Sequence, residues 1–173
     1  MASFDVFLPI LLRFEGGYSD DPTDPGGETN KGITMATFQS CSHELLGLDP
    51  TSENLKALTD AQAGLIYKPL YWNKLQADAL ASQDLANIVC DFYVNAGTNA
   101  TKLLQHVLNN LGASVVEDGT IGPASLQALA GFDQVQVYRQ YKQGRITYYQ
   151  TLGQKYPQFL QGWLNRVNAF PDL

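Results

Sequence analysis

The sequence predicts a mainly α-helical protein, a single compact domain of about eight helices with a small irregular or β element near residues 18–34. Three observations support this prediction. Apolar residues recur at helical spacing along most of the chain. Ser, Thr or Asp residues that can cap a helix precede several of these stretches. Strand-like alternation is scarce, and at 173 residues the chain can bury a substantial core.

The first helix is predicted from one apolar face with spacing i, i+3, i+4, i+7 and i+8, formed by Phe4, Phe7, Leu8, Leu11 and Leu12. Ser3 is its predicted N-cap. Pro9 lies within this span and has no backbone N–H, so we expect a kink or a later helix start. Gly16 and Gly17 should end the helix, because glycine adopts the left-handed conformation at little cost.

Residues 18–34 are rich in Asp, Pro and Gly, which predicts a loop or a short hairpin. Thr34 can cap a second helix that runs into the forties. Thr59 and Gln62 have the spacing of a capping box, which predicts the start of a third helix. Pro69 should break that helix near Tyr71 and Trp72.

The second half of the chain predicts further helices. Leu85 to Ala96 carries the apolar stripe of a central helix, and either Thr98 or Asn99 should cap the next one, which stops at Gly112. Pro123 is placed for the first position of a helix. Asp133 can cap a longer helix, and Pro157 opens the last one.

Composition excludes several classes of function. The net charge of −6 and the absence of any Lys/Arg cluster argue against nucleic-acid binding. No run of about 18 apolar residues is present, so stable membrane insertion is not expected. His43 and His106 are isolated, so we expect neither a metal nor a cofactor. Cys41 and Cys90 are expected to be buried free thiols. The N-terminal residues lack the pattern of a signal peptide, so we expect synthesis in the bacterial cytoplasm without one.

Glu15 is the leading candidate for a catalytic residue. It closes an apolar helix, where the negative end of the helix dipole and the neighbouring Phe14 should favour the protonated form and raise its pKa. A glutamic acid that stays protonated near neutral pH can protonate a glycosidic oxygen. Gly16 and Gly17 would leave room for a bulky polymer. The alternative is a solvated glutamate that merely ends an amphipathic helix.

Glycoside hydrolysis usually needs a second carboxylate, and four acidic residues follow in the loop: Asp20, Asp21, Asp24 and Glu28. Asp24 lies far enough from Glu15 for a turn to carry it across a cleft. Thr29 could hold a water molecule through its hydroxyl. Any one of these acids could instead belong to a solvated turn. A calcium-binding EF-hand loop starting at Asp20 fails, because it would place Pro25 where glycine is required.

The chain resembles glycoside hydrolase family 108, the N-acetylmuramidases. The first and most specific block of the resemblance comprises Glu15-Gly16-Gly17-Tyr18, Asp24-Pro25-Gly26-Gly27-Glu28-Thr29 and Lys31-Gly32-Ile33-Thr34. Weaker blocks follow at Leu58-Thr59, Tyr71-Trp72, Asp91 to Gly97, Asp118 to Gly122, and Gly162-Trp163 with Arg166. The second half is similar to the peptidoglycan-binding region that accompanies this family.

The resemblance implies a lysozyme-like fold with a catalytic region at 1–97 and a peptidoglycan-binding helical region at 98–173 packed on it. It also implies hydrolysis of the β-1,4 bond between N-acetylmuramic acid and N-acetylglucosamine, with Glu15 as the acid. Phage-type lysozymes place eight residues between this Glu and an Asp, and five between that Asp and a Thr. Here Asp24 keeps the first spacing, whereas only four residues separate it from Thr29. Retention and inversion both stay open.

Four residues are candidates for contacts to sugar or peptide: Tyr18, Tyr93, Asn95 and Tyr149. Tyrosine offers a flat apolar face with a polar tip, and asparagine can hydrogen-bond N-acetyl groups. The alternative for the tyrosines is core packing, and for Asn95 it is a role at a helix end. Trp72 and Trp163 are assigned mainly to packing.

Three functions therefore compete. The leading one is a monomeric peptidoglycan muramidase that acts on the glycan strands of the cell wall. The second is a lytic transglycosylase, which needs the acid but no water-activating Asp. The third is a non-catalytic wall-binding accessory of secretion. The setting could be phage or prophage lysis or wall remodelling for secretion, with a holin or a secretion system giving access to the wall.

Overall fold

The computed structural model describes residues 1–21 and 26–173. In those residues the secondary structure comprises nine α-helices and one antiparallel sheet of two short strands. The helices are α1 (Phe4–Glu15), α2 (Met35–Leu46), α3 (Ser52–Lys56), α4 (Asp60–Tyr67), α5 (Gln83–Ala96), α6 (Thr98–Asn110), α7 (Pro123–Ala130), α8 (Gln134–Gly153) and α9 (Pro157–Asn168). The strands are β1 (Thr29–Asn30) and β2 (Ile33–Thr34). The predicted mainly α fold with a small β element near 18–34 is confirmed.

The chain divides into two compact units. One unit comprises Asp5–Leu70, and the other comprises Met1–Phe4 together with Tyr71–Leu173. Between α4 and α5 the chain forms a π-helical turn over Lys68–Trp72, followed by two short 3-10 turns. The break expected at Pro69 is thus a change of helix type that begins one residue earlier.

Helix α1 starts at Phe4 and continues through Pro9, so the expectation of a later start is wrong. Proline at this position removes the hydrogen bond to the carbonyl of Asp5. Asp5 is exposed, so water can satisfy that carbonyl. On the predicted apolar face Phe7 and Leu11 are fully buried, whereas Leu8 and Leu12 are only half-buried.

In the 5–70 unit, local capping chemistry sets the start of each remaining helix. Thr34 caps α2 by accepting a hydrogen bond from the backbone N–H of Thr37. Thr59 and Gln62 form the predicted capping box at α4, with both reciprocal bonds present. Helix α3 was not predicted, because five residues are too few to show helical periodicity. Helix α2 packs against α3, α4 and β2.

In the other unit, α8 packs against α5, α6 and α9. Helix α5 is buried over the continuous stretch 85–92, and Cys90 lies within it as a buried thiol. Helix α6 has no side-chain cap, so the prediction that Thr98 or Asn99 caps it is wrong. The chain instead reverses at Gly97, whose φ of 57° needs glycine, and Thr98 is already the first helical residue.

Candidate active site

Glu15 is the last residue of α1, and its side chain is half-buried. The helix ends there because Gly16 adopts a left-handed conformation with φ of 73°. The Glu15 carboxyl group points to the turn of the β1–β2 hairpin. That turn is formed by Lys31 and Gly32, which both have positive φ, 52° and 76° respectively.

The Glu15 carboxyl group lies against Gly32. A Cβ atom at Gly32 would lie 2.6 Å from Oε2 of Glu15 and 2.8 Å from its Cδ. The same Cβ atom would also lie 2.6 Å from the hydroxyl oxygen of Tyr67. Both oxygens therefore occupy the space beside the Gly32 Cα that any other residue would fill. Both the steric fit and the backbone conformation therefore favour glycine at this position.

Tyr67 is the last residue of α4 and is only 1% exposed. Its hydroxyl donates a hydrogen bond of 2.8 Å to the backbone carbonyl of Lys31. At the other end of α4, Asp60 forms an ion pair of 2.6 Å with the Lys31 ammonium. The first and last residues of α4 thus both bind Lys31. Asp60 binds its side-chain ammonium, and Tyr67 binds its backbone carbonyl.

A second polar cluster surrounds Glu28. The Tyr18 hydroxyl (2.9 Å) and the Ser52 hydroxyl (2.5 Å) both donate to Oε1 of Glu28. The ammonium of Lys56 lies 5.0 Å from the centre of the Tyr18 ring. The hydrogen bond from Ser52 is the main reason that the pKa of Glu28 lies below its usual value. Glu28 is thus an ionised carboxylate that ties Tyr18 to helix α3.

The remaining candidate residues between 18 and 34 differ in their burial and contacts. Thr29 is half-buried in β1 and exchanges two backbone hydrogen bonds of 2.8 Å with Ser19. Asp24 lies outside the described residues. Asp20 and Asp21 are exposed. The structure thus places Thr29 in the hairpin and brings Tyr18 and Glu28 into contact just before β1.

Tyr93, Asn95 and Tyr149 belong to the 71–173 unit. Tyr93 is half-buried and makes an edge contact with the ring of Tyr71 at 6.2 Å. Asn95 is exposed, and its amide donates to the carbonyl of Asp91 one turn earlier, which favours the helix-end interpretation. Tyr149 is 3% exposed and stacks on Trp163 at 5.4 Å, which favours core packing. Sugar contacts by these three residues stay a prediction.

Sequence reasoning did not assign roles to a buried ionic cluster in the same unit. The Asp91 carboxylate has no exposed surface, and it accepts hydrogen bonds from Arg145 at 2.6 Å and from Arg166 at 2.7 Å. Arg145 is equally buried, and its guanidinium lies 4.9 Å from the centre of the Phe92 ring. The position of Asp91 inside the apolar stripe of α5 could have indicated this cluster, because an acidic residue is rarely buried unless it is paired.

A surface cleft of about 350 Å³ lies in the 5–70 unit. Leu8 and Leu12 contribute apolar walls, and this explains why they stay half-buried on the predicted core face. The cleft is lined by Leu8, Pro9, Leu12, Arg13, Gly16, Lys31 and Asp60. It therefore follows the end of α1 and reaches the hairpin turn, the two elements that position Glu15.

Two further properties concern the described part of the chain. Within residues 1–21 and 26–173, no group of three or more His, Cys, Asp or Glu side chains could hold a metal ion. None of the helices found there is long and apolar enough to cross a lipid bilayer.

Comparison with known proteins identifies the family. The family model for glycosyl hydrolase 108 matches residues 8–97, and the model of a predicted peptidoglycan domain matches residues 99–168. Among solved structures, the structure of Brucella abortus SagA is similar, with 31% sequence identity and a TM-score of 0.70. The match covers 96% of this chain and 94% of the SagA chain. No curated protein matches the chain.

Glu15, Tyr18, Gly32 and Tyr67 all lie within the residues that the hydrolase family model matches. The resemblance predicted from the sequence is confirmed, and the mainly α fold is lysozyme-like. Because the first match covers more than half of the chain and the second adds a peptidoglycan domain, the chain belongs to glycosyl hydrolase family 108 and is a glycoside hydrolase that acts on peptidoglycan.

Proposed function

We propose that this protein is an N-acetylmuramidase that hydrolyses the β-1,4 bond between N-acetylmuramic acid and N-acetylglucosamine, with Glu15 as the general acid. The observation that carries the proposal is the placement of the Glu15 carboxyl group. It is half-buried at the end of a helix, it rests on a hairpin turn that leaves space for it, and a cleft begins at the neighbouring Gly16. A half-buried carboxyl group next to a residue that lines a cleft is suited to proton transfer to a glycosidic oxygen.

The second catalytic function is assigned to Asp24, with Thr29 holding the water molecule. Glu28 is the less suitable alternative among the acidic residues of this segment. Its Oε1 already accepts two hydrogen bonds, from Tyr18 and Ser52, and these tie it to the segment after α1 and to α3. Tyr18, which is 37% exposed, is proposed to contact the saccharide through its ring.

The test is the Glu15→Gln variant, because glutamine keeps the size of the side chain but has no acidic proton. Release of reducing ends from purified peptidoglycan should fall by about 10²–10⁴-fold, the usual contribution of general acid catalysis. The matched control is Glu44→Gln, which makes the same change at an exposed position of α2. Parental activity of the Glu15 variant would show that another residue supplies the proton.

Mass analysis of the released fragments completes the assignment. Hydrolysis should leave reducing N-acetylmuramic acid ends. Fragments with 1,6-anhydro-muramic ends would show a lytic transglycosylase instead. Binding to insoluble wall without any release of reducing ends would show an accessory protein without catalytic activity.

We further propose that the protein acts as a monomer on the cell wall, after release through a holin or a secretion system. Expression in a bacterial strain without a holin or a dedicated secretion system should leave the activity inside the cells, and co-expression of a holin should release it. If activity reached the wall without either of them, this route would be wrong.

A further inference from the structure

We propose that Tyr67 is a positioning residue for Glu15: its hydroxyl group holds the hairpin turn in the place where the Glu15 carboxyl group is oriented for proton transfer. This inference rests on the proposed function, in which Glu15 is the acid. It starts from one observation, the convergence of the Glu15 carboxyl and the Tyr67 hydroxyl on the Cα of Gly32, each 2.6 Å from the place of the missing Cβ atom.

The hairpin turn needs an external support. Lys31 is one of two non-glycine residues with positive φ in the described chain, and this conformation costs about 1–2 kcal/mol for an L-residue. The strands on either side of the turn have only two residues each, so the sheet alone holds the turn weakly. The hydrogen bond from the Tyr67 hydroxyl to the Lys31 carbonyl supplies a fixed point at 2.8 Å.

Tyr67 is itself rigidly placed. Its side chain is 1% exposed, and it ends a helix whose start is fixed by the capping box of Thr59 and Gln62. Asp60 in the first turn of that helix holds the ammonium of the same Lys31. Helix α4 thus holds the turn at Lys31 from both of its ends, while Asn30 ties β1 to α3. The Glu15 carboxyl group lies against this turn at Gly32.

The burial of Tyr67 also decides how it acts. A side chain that is 1% exposed does not stack on a saccharide, in contrast to the sugar contact proposed for Tyr18. Loss of its hydroxyl should change the turnover rate and leave saccharide binding unchanged. A purely structural tyrosine would change neither kinetic constant while the protein is folded.

The chain offers a matched control for this distinction. Tyr138 has no exposed surface, and its hydroxyl donates to the backbone carbonyl of Pro171 at 2.7 Å. Each Tyr→Phe change removes the hydrogen bond from a buried tyrosine to a backbone carbonyl, at a cost of about 1 kcal/mol in stability for that bond. Only the bond at Tyr67 ends at the turn that contacts Glu15.

The experiment measures kcat and KM on soluble, uncrosslinked glycan strands for the parent, Y67F, Y138F, E15Q and the double variant E15Q/Y67F. We expect Y67F to lower kcat by about 10- to 100-fold, since displacements near 1 Å at a catalytic group cost up to about 100-fold. KM should stay within about twofold, and Y138F should keep the parental constants. E15Q/Y67F should be no slower than E15Q, because a residue that acts through Glu15 has no effect once the acid is absent.

Each other outcome identifies which statement fails. Parental activity of E15Q would overturn the proposed function. An inactive E15Q together with a parental kcat for Y67F would overturn the role of Tyr67 alone. The role of Tyr67 would also be overturned if Y67F changed only KM, or if it lowered kcat by the same factor in the parent and in E15Q. Circular dichroism at the assay temperature checks that Y67F is folded; if it is not, 4-aminophenylalanine at position 67, which can still donate to the Lys31 carbonyl, should restore the parental kcat.

Discussion

Replacement of Gly32 by alanine is the most direct test of the proposed site geometry. The new Cβ atom would lie 2.6 Å from both the Glu15 Oε2 and the Tyr67 hydroxyl oxygen, whereas ordinary contacts begin at 3.4 Å. The carboxyl group must therefore retreat by about 0.8 Å, a displacement that can cost on the order of 100-fold in rate when the group performs the chemistry. Alanine at φ of 76° adds about 1–2 kcal/mol of backbone strain.

Gly47→Ala is the control that separates these two effects. Gly47 ends α2 with φ of 65°, close to that of Gly32, and a Cβ atom there would contact nothing within 4 Å. Both variants should therefore lose stability from backbone strain, as measured by the midpoint of thermal unfolding. Only Gly32→Ala should lose kcat, measured by release of reducing ends well below both midpoints.

If the kcat of Gly32→Ala were within about threefold of that of Gly47→Ala, the proposed link between Gly32 and catalysis would be wrong, because the expected loss is on the order of 100-fold. That result would mean either that the carboxyl group can retreat without consequence for the reaction or that Glu15 is not the acid. The Glu15→Gln variant distinguishes these two explanations.

Three further predictions concern stability. Asp91→Asn should lower the free energy of unfolding by about 3–5 kcal/mol in urea titrations, because it leaves the fully buried Arg145 without its counter-charge. Thr59→Ala should cost about 1 kcal/mol in the same assay by removing the cap of α4. Glu28→Gln should lower the thermal midpoint near neutral pH, with a difference from the parent that disappears in acid. The folded-state pKa of Glu28 lies below the ordinary value of 4.5, so its stabilisation is complete above that value and is lost as the pH falls through the folded-state pKa.

Each of these predictions has a result that would contradict it. Parental stability of the Asp91 variant would mean that Arg145 reaches solvent. An unchanged Thr59 variant would mean that packing alone sets the start of α4. A constant difference between the Glu28 variant and the parent at all pH values would show that ionisation of Glu28 is not the source of its effect.

Short-range chemistry made much of the fold predictable. The capping box at Thr59, the cap at Thr34 and the helix end at Gly16 depend on residues within four positions of one another. The mainly α fold with its small hairpin is predictable on this basis, whereas the family is predicted from the motifs that the chain shares with it. The same local reasoning failed at Thr98, because the turn at Gly97 needs no side-chain cap, and it missed the five-residue helix α3.

The contacts around the proposed acid join residues that are far apart in the sequence, unlike the helix caps. The sequence singled out Glu15, because a carboxylate before two glycines at the end of an apolar helix is unusual. It gave no signal that Tyr67 lies beside it, since those residues are separated by more than fifty positions and both lie against Gly32. The half-burial of Leu8 and Leu12 likewise depends on the cleft that they line.

Most of the helices, the small hairpin and the candidate acid can be read from the chain alone, because hydrogen bonds between near neighbours decide where helices begin and end. The tertiary structure alone decided which groups surround that acid. Packing brings together residues from α1, the hairpin and α4, and the space available beside one glycine Cα then determines how closely they approach.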